Sequence, residues 1–363
     1  MEYYSKSDAT TEFKYYPIID AHIHVRSLKK ALNQNDVLKE TGLRGMGVQC
    51  VTRLSDEFLA SNLIGMLLKV MQYGETYVFG GFHRPLPGEN PKTQDYRAMA
   101  QFLHEMGVDG IKMYEAKPSI RKQFEIGLDS PELEPLYTYL EENEIPMLNH
   151  VGDPANFWDG DDAPEIAKQN GWTFDSTFVH PEVYFTEIEN VFKRHPALKM
   201  ILAHFFFLSV DMPRLEDFLQ KYPNIYVDIT PGTEMFIDFS ADQAAWHDFF
   251  VKYQDRIIFG TDSGFFGELP YETNAIRTFL ETSRTFHAWD MEIRGIELPE
   301  DALRKIYYEN FKGIVKSPRL PDWRLVVKEY ETVLEAAKIS ELRDDLLADL
   351  SDIAEVLKKM GVM

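Results

Sequence analysis

Cysteine is almost absent from this chain: Cys50 stands alone among 363 residues, which excludes an internal disulfide and suits a reducing compartment. Positive charge is scarce too. Lys and Arg number 38 against 59 Asp and Glu, for a formal net charge of −21, and so acidic a surface lacks the clustered cations that replace counterions on a polyanion. No nucleic-acid partner is expected. No apolar run reaches the roughly 18 residues of a membrane span. The start Met-Glu-Tyr-Tyr-Ser-Lys lacks the basic-then-apolar order of a secretory signal. The expectation is a cytoplasmic protein without a membrane partner. The dinucleotide signature Gly-x-Gly-x-x-Gly follows none of the apolar runs either.

What is present is a large apolar complement, 44% of residues with 13% aromatic, enough for a sizeable core. Short apolar runs recur at Ile18–His24, Gly47–Thr52, Tyr77–Phe82, Gly110–Tyr114, Pro146–Val151, Met200–Phe205, Ile225–Thr230 and Ile257–Asp262. Amphipathic stretches lie between several of them. Leu133, Leu136, Tyr137 and Leu140 follow a Ser130 cap and Pro131, while Tyr184, Ile188, Val191 and Phe192, and then Leu215, Phe218, Leu219 and Tyr222, keep helical spacing. Ile276 to Leu280 suggest a helix after the eighth run. Strands alternating with crossover helices predict an α/β fold, and eight such units predict a closed (β/α)8 barrel spanning residues 1–320 behind an N-terminal arm. An open doubly wound sheet is the alternative. From residue 321 a helical extension is expected, with Leu346, Leu350, Ile353 and Leu357 on one face. It would cap the barrel or join two subunits of a homo-oligomer.

The chain has 10 histidines, and two of them stand in Pro17-Ile-Ile-Asp-Ala-His-Ile-His-Val25. Alternation along a strand sends His22 and His24 to the same face. His150, His204 and Asp262 occupy similar positions at the ends of later strands, and a barrel gathers those ends on one rim. Imidazole and carboxylate suit a divalent cation, zinc first, with manganese, iron and cobalt as alternatives. His104, His195, His247 and His287 fall in helix-like segments and His180 in a loop, whereas His83 follows the third strand close to the rim.

The ordered motifs Ile-Ile-Asp-Ala-His-Ile-His, Gly-Ile-Lys, Leu-Asn-His, Leu-Ala-His-Phe, Asn-Ile-Tyr-Val-Asp and Ile-Phe-Gly-Thr-Asp-Ser resemble the amidohydrolase superfamily. Within it, the chain is similar to the amidohydrolase-related branch of TIM-barrel metal-dependent hydrolases that includes aminocarboxymuconate-semialdehyde decarboxylase. The resemblance runs from Pro17 to the Tyr308-Glu-Asn-Phe segment. It implies metal ligation by His22, His24, His150 and Asp262, with Asp262 also a proton acceptor and His204 an acid-base group. One ion per chain is expected. Two would be held if Lys112 were carboxylated and bridged them together with His204. Otherwise Lys112, inward on its strand, meets a substrate carboxylate or a structural aspartate such as Asp228.

The loops after the strands should wall the pocket. Arg26, Arg53, Arg84 and His83 would meet an anionic small molecule, and Phe82, Trp158, Phe206, Phe265 and Phe266 its apolar body. Gly152 to His180 is long for a connection and reads as a covering lid. Three functions follow: hydrolysis of an amide, lactone or ester by activated water, non-oxidative decarboxylation of an aromatic or unsaturated acid, or metal-dependent assembly without turnover. The first is the leading expectation.

Overall fold

The computed structural model describes residues 13–14, 16–32, 41–52, 58–71, 74–85, 88–232, 235–264, 269–340 and 343–363. Eight parallel strands follow one another in chain order around a single sheet. They are β1 (Ile18–Ile23), β2 (Leu43–Gln49), β3 (Glu75–Gly81), β4 (Gly110–Met113), β5 (Met147–Asn149), β6 (Met200–Leu202), β7 (Ile225–Asp228) and β8 (Ile257–Ile258). The last strand meets the first through Ala21 N–H to the Phe259 carbonyl at 3.0 Å, Asp262 N–H to the His22 carbonyl at 2.9 Å and His24 N–H to the Ser263 carbonyl at 2.9 Å. A parallel bridge between Ile23 and Ser263 completes the ring. The fold is a (β/α)8 TIM barrel.

Most strands stop short of the apolar runs that announce them, because the chain leaves the ladder just where its functional side chains begin. β2 also stops short, at Gln49, but starts early, at Leu43, where Arg44 and two glycines interrupt the apolar pattern. Gly47 is required there: a Cβ would lie 2.6 Å from the Ala21 carbonyl oxygen, so only glycine lets β1 and β2 approach this closely.

Helices cover the outside. The helix Glu134–Glu142 begins after a turn in which Leu133 N–H reaches the Ser130 carbonyl, later than Pro131 would suggest, yet Leu133, Leu136, Tyr137 and Leu140 are all buried as their spacing requires. Pro181–Arg194 and Met212–Lys221 likewise bury Tyr184, Ile188, Val191 and Phe192, and Leu215, Phe218 and Leu219. After the helix Leu269–Glu281 comes a hairpin, β9 (Thr285–Ala288) and β10 (Met291–Arg294). His287 therefore lies in a strand and not in a helix-like segment. Trp289 and Asp290 form its two-residue turn at φ 51° and 58°, the left-handed pair such a hairpin needs.

Two C-terminal helices, Trp323–Ala337 and Arg343–Lys359, pack on the barrel's own flank. Leu346, Leu350, Ile353 and Leu357 are buried, each contributing roughly 1.5–3 kcal/mol of burial. Asp349 accepts hydrogen bonds from Ser27 Oγ and Leu28 N–H. Buried Glu329 accepts from Asn62 Nδ2 at 3.0 Å and from His83 Nε2 at 2.8 Å. Among the described residues, no helix is long and apolar enough to cross a membrane.

Candidate metal centre

Closure of the barrel builds the site. His22 is inward on β1, His24 lies one residue beyond that strand, and the seam hydrogen bonds lay Asp262 beside both. Asp262 has φ 56°, which turns its carboxylate toward the imidazoles. Asp262 Oδ1 lies 3.1 Å from His24 Nε2 and 3.4 Å from His22 Nε2, and the two Nε2 atoms are 3.2 Å apart. Below them, Asp20 accepts from His22 N–H at 3.0 Å and from Thr261 N–H and Oγ at 3.1 and 2.6 Å, locking the β1 and β8 ends in register.

The tautomers follow from the partners. His22 Nδ1 faces Asp228 Oδ2 at 2.9 Å, and His24 Nδ1 faces the Gln49 carbonyl at 2.7 Å. A carbonyl only accepts, and so does an ionised carboxylate. Burial pushes the Asp228 carboxyl up, but the His22 contact outweighs it and holds the group at about 2. Both Nδ1 atoms therefore carry the proton, and both Nε2 atoms present lone pairs to each other and to Asp262. Burial and the neighbouring Lys112 lower His22 to about 4, so it stays neutral at physiological pH. Asp262 brings a carboxylate, which is anionic at neutral pH. Two lone pairs and an anion converging this closely repel unless a cation stands among them, and two imidazoles with a carboxylate are a donor set that a divalent ion accepts. His22, His24 and Asp262 form a group whose ligand atoms lie within 4.8 Å of one another.

His150 lines the same cavity but stands outside that group, with Nε2 turned 3.2 Å from Asp153 Oδ1. Its ring packs edge-on against His204, centroids 4.9 Å apart. His204 is set by its backbone: N–H donates to Asp228 Oδ1 at 2.8 Å, and Nδ1 meets Thr230 Oγ1 at 3.1 Å. Asp228 thus buttresses His22 and His204 together. His204, Phe205, Phe206 and Phe207 all have φ between 52° and 58°, a left-handed turn costing roughly 1–2 kcal/mol per residue. Phe205 and Phe206 are buried in the core, and Phe207 stacks on His204 with centroids 5.2 Å apart. Lys112 points inward from β4 with Nζ 3.2 Å from His22 Nε2; burial lowers it to about 8.

The cavity above these residues holds about 710 Å³. Arg26, stacked 4.6 Å from the Phe58 ring centroid, lines one side, and Trp172 and Phe174 of the segment after β5 line another. That segment has its own small core of Phe157, Ala167 and Phe174. Trp158 packs on Phe174, centroids 4.5 Å apart, and His83 is bound to Glu329, so neither lines the cavity. Arg84 lies between the Tyr114 and Phe124 rings, also off the lining, and Phe206 belongs to the core. Arg53, Phe265 and Phe266 lie outside the described residues. Sequence reasoning missed Lys117, Asp153, Glu272, Trp289 and Met291, all of which line the cavity. The Trp289-Asp290 turn carries the last two there, and an aromatic-acidic pair between two short alternating runs was the available signal.

A barrel with imidazoles and a carboxylate gathered at the C-terminal rim of its strands defines a metal-site class of TIM barrels. A family model described as amidohydrolase matches residues 66–310, more than half of the chain, and the protein belongs to that family. His150, His204 and Asp262 fall within the match, whereas His22 and His24 precede it. Comparison with curated proteins gives no match. Among solved structures, an uncharacterised TIM-barrel protein, Bb4693 from Bordetella bronchiseptica, is 16% identical with a TM-score of 0.51, covering 82% of this chain and 98% of that one. The 4-oxalomesaconate hydratase LigJ from Rhodopseudomonas palustris is 15% identical with a TM-score of 0.51, covering 88% and 98%. A 2,6-dihydroxybenzoate decarboxylase, complexed with 2,6-dihydroxybenzoate, is 15% identical with a TM-score of 0.50, covering 84% and 99%. At such identities the likeness is one of fold.

Proposed function

We propose that the protein is a metal-dependent hydrolase that cleaves an amide, lactone or ester bond of a small anionic organic substrate. One observation carries this: the Nε2 lone pairs of His22 and His24 converge with Asp262 Oδ1, their tautomers fixed by Asp228 and Gln49. A divalent ion there, zinc by preference, supplies the Lewis acidity that brings the pKa of water from about 16 toward about 7. Asp262, ionised and at the cavity floor, accepts the proton of the attacking water and returns it to the leaving group. His204, held by Thr230 and Asp228, stands beside the reacting carbonyl as its hydrogen-bond partner. Lys112 and Arg26 draw in an anionic substrate, and the aromatic faces of Phe58, Trp172 and Phe174 receive its apolar body.

A second reading, non-oxidative decarboxylation, gains support from the fold shared with the 2,6-dihydroxybenzoate decarboxylase and from the same cations, which would hold a carboxylate. Carbon dioxide release from the substrate separates the two. The ion itself is tested by elemental analysis of purified protein. The wild type should carry a divalent metal near stoichiometry, and a His22→Ala/His24→Ala variant should carry less than about a tenth of it. Full metal content in a folded double variant would overturn the assignment.

A further inference from the structure

The wall beside His204 belongs to two cavities. Next to the main one lies a smaller chamber of about 220 Å³, and Pro154, His204, Phe207 and Gly232 line both. These four come from the segments after β5, β6 and β7, so they form a neck between the two spaces. Gly232 leaves that neck without a side chain, although its backbone does not demand glycine. Its φ lies outside the left-handed region, and a Cβ would stand 3.7 Å from both His204 Cβ and Phe207 Cε1, at ordinary contact. A side chain there is sterically tolerated, and it would narrow the passage.

The two spaces differ in charge. Arg26, Lys112 and Lys117 line the main cavity, whereas among the described residues the chamber's lining holds no lysine or arginine. Its polar side is Asn156, Ser209 and Asp238, with Ser209 Oγ donating to Asp238 Oδ2 at 2.6 Å. Val210 and Met235 supply apolar surface, and Val210, 71% exposed, marks the outer end. A carboxylate beside a hydroxyl, in a small space without a cation, selects a positively charged group over an anion.

We propose that this chamber is the leaving-group subsite: it takes a short alkyl arm ending in an ammonium, while the acid-bearing part of the substrate stays in the main cavity with Lys112 and Arg26. The substrate is then zwitterionic, and its scissile bond lies at the neck. The inference rests on the hydrolase reading, in which His204 partners the reacting carbonyl, and it deepens that reading by naming what departs.

The test is NMR of the full chain with ¹³C-labelled methionine methyls in the presence of Zn²⁺, the Met235 signal being assigned by its loss in Met235→Leu. Butylamine should shift that signal and butyrate should not, and Asp238→Asn should raise the butylamine dissociation constant roughly tenfold. The series from 4-aminobutanoate to 8-aminooctanoate carries both charges in one molecule. The length that spans the neck should bind at least about tenfold tighter than butylamine, because its second contact becomes intramolecular. Gly232→Leu should erase that gain while butylamine still enters from the Val210 side, and Gly232→Ala, a smaller plug, should remove part of it. A Met235 methyl that ignores butylamine or answers butyrate equally overturns the proposal. So does a series in which no length gains, or a gain that survives in Gly232→Leu. Butylamine needs no ion, so a wild type found without metal would sink the hydrolase reading while leaving the chamber's preference for an ammonium standing.

Discussion

Asp228 reaches two imidazole-bearing residues with one carboxylate, accepting from His22 Nδ1 through Oδ2 and from His204 N–H through Oδ1. An amide cannot accept on both sides. Asp228→Asn should therefore keep the fold while losing about 10–100-fold in Zn²⁺ affinity, measured by competition with a chelator; an unchanged affinity would show that His22 needs no anchor. Much of this level could be read before folding. Strand alternation alone puts His22 and His24 on one face, and recurring strand ends point to Asp262, because these signals are local. The supporting residues were not legible, since Asp153 meets His150 only through the turn at Gly152, and Glu272 meets Trp289 Nε1 at 2.7 Å only after a hairpin has formed. His83 shows the opposite failure. Its place near the rim suggested a substrate contact, but nothing in the local sequence reveals that a helix far along the chain brings Glu329 to it.

Among the elements, the left-handed turn His204–Phe207 is the one that intrinsic preference would forbid. Its aromatic packing has to outweigh the backbone cost, which explains why bulky residues stand where glycine would be relaxed. The consequence is an inverted ranking at position 207. In a right-handed helix alanine is better than glycine, whereas here Phe207→Gly should be more stable than Phe207→Ala by about 1–2 kcal/mol, read from urea unfolding. Alanine equal to or better than glycine would show that the turn relaxes to ordinary dihedrals. Apolar periodicity located the eight strands and the main helices because burial enforces it. It could not see this turn, whose φ values arise from tertiary packing of Phe205 and Phe206, nor the hairpin, whose short strands resemble the ends of neighbouring helices.

Over the whole molecule, the C-terminal helices are fastened to the barrel by an ion pair that senses pH. Burial disfavours the His83 imidazolium, but Glu329 outweighs it and raises the pKa above its ordinary 6.5. Burial likewise raises Glu329, and His83 with Asn62 pull it below 4.5. The histidine's contribution is full below about 6.5 and is lost as pH rises through its elevated folded value; the glutamate's is full above about 4.5 and is lost on acidification. Docking of the extension is thus firmest between those limits. The difference in melting temperature between wild type and His83→Gln should be largest near pH 5.5 and shrink by about pH 8. A constant difference across that range would mean the contact is made by neutral groups.

β8, the shortest strand of the ring with only Ile257 and Ile258 in the ladder, meets β1 at a seam of a few hydrogen bonds just beyond it. The candidate ligands sit astride that seam, two on the first strand's end and one just past the last. A bound cation would act there as a clasp, cinching together the ends of the first and last strands and adding about 4 kcal/mol when free ion exceeds its dissociation constant a thousandfold. Chelation should lower the melting temperature, and the amides of Ala21 and Asp262 should be the first in the sheet to exchange with solvent.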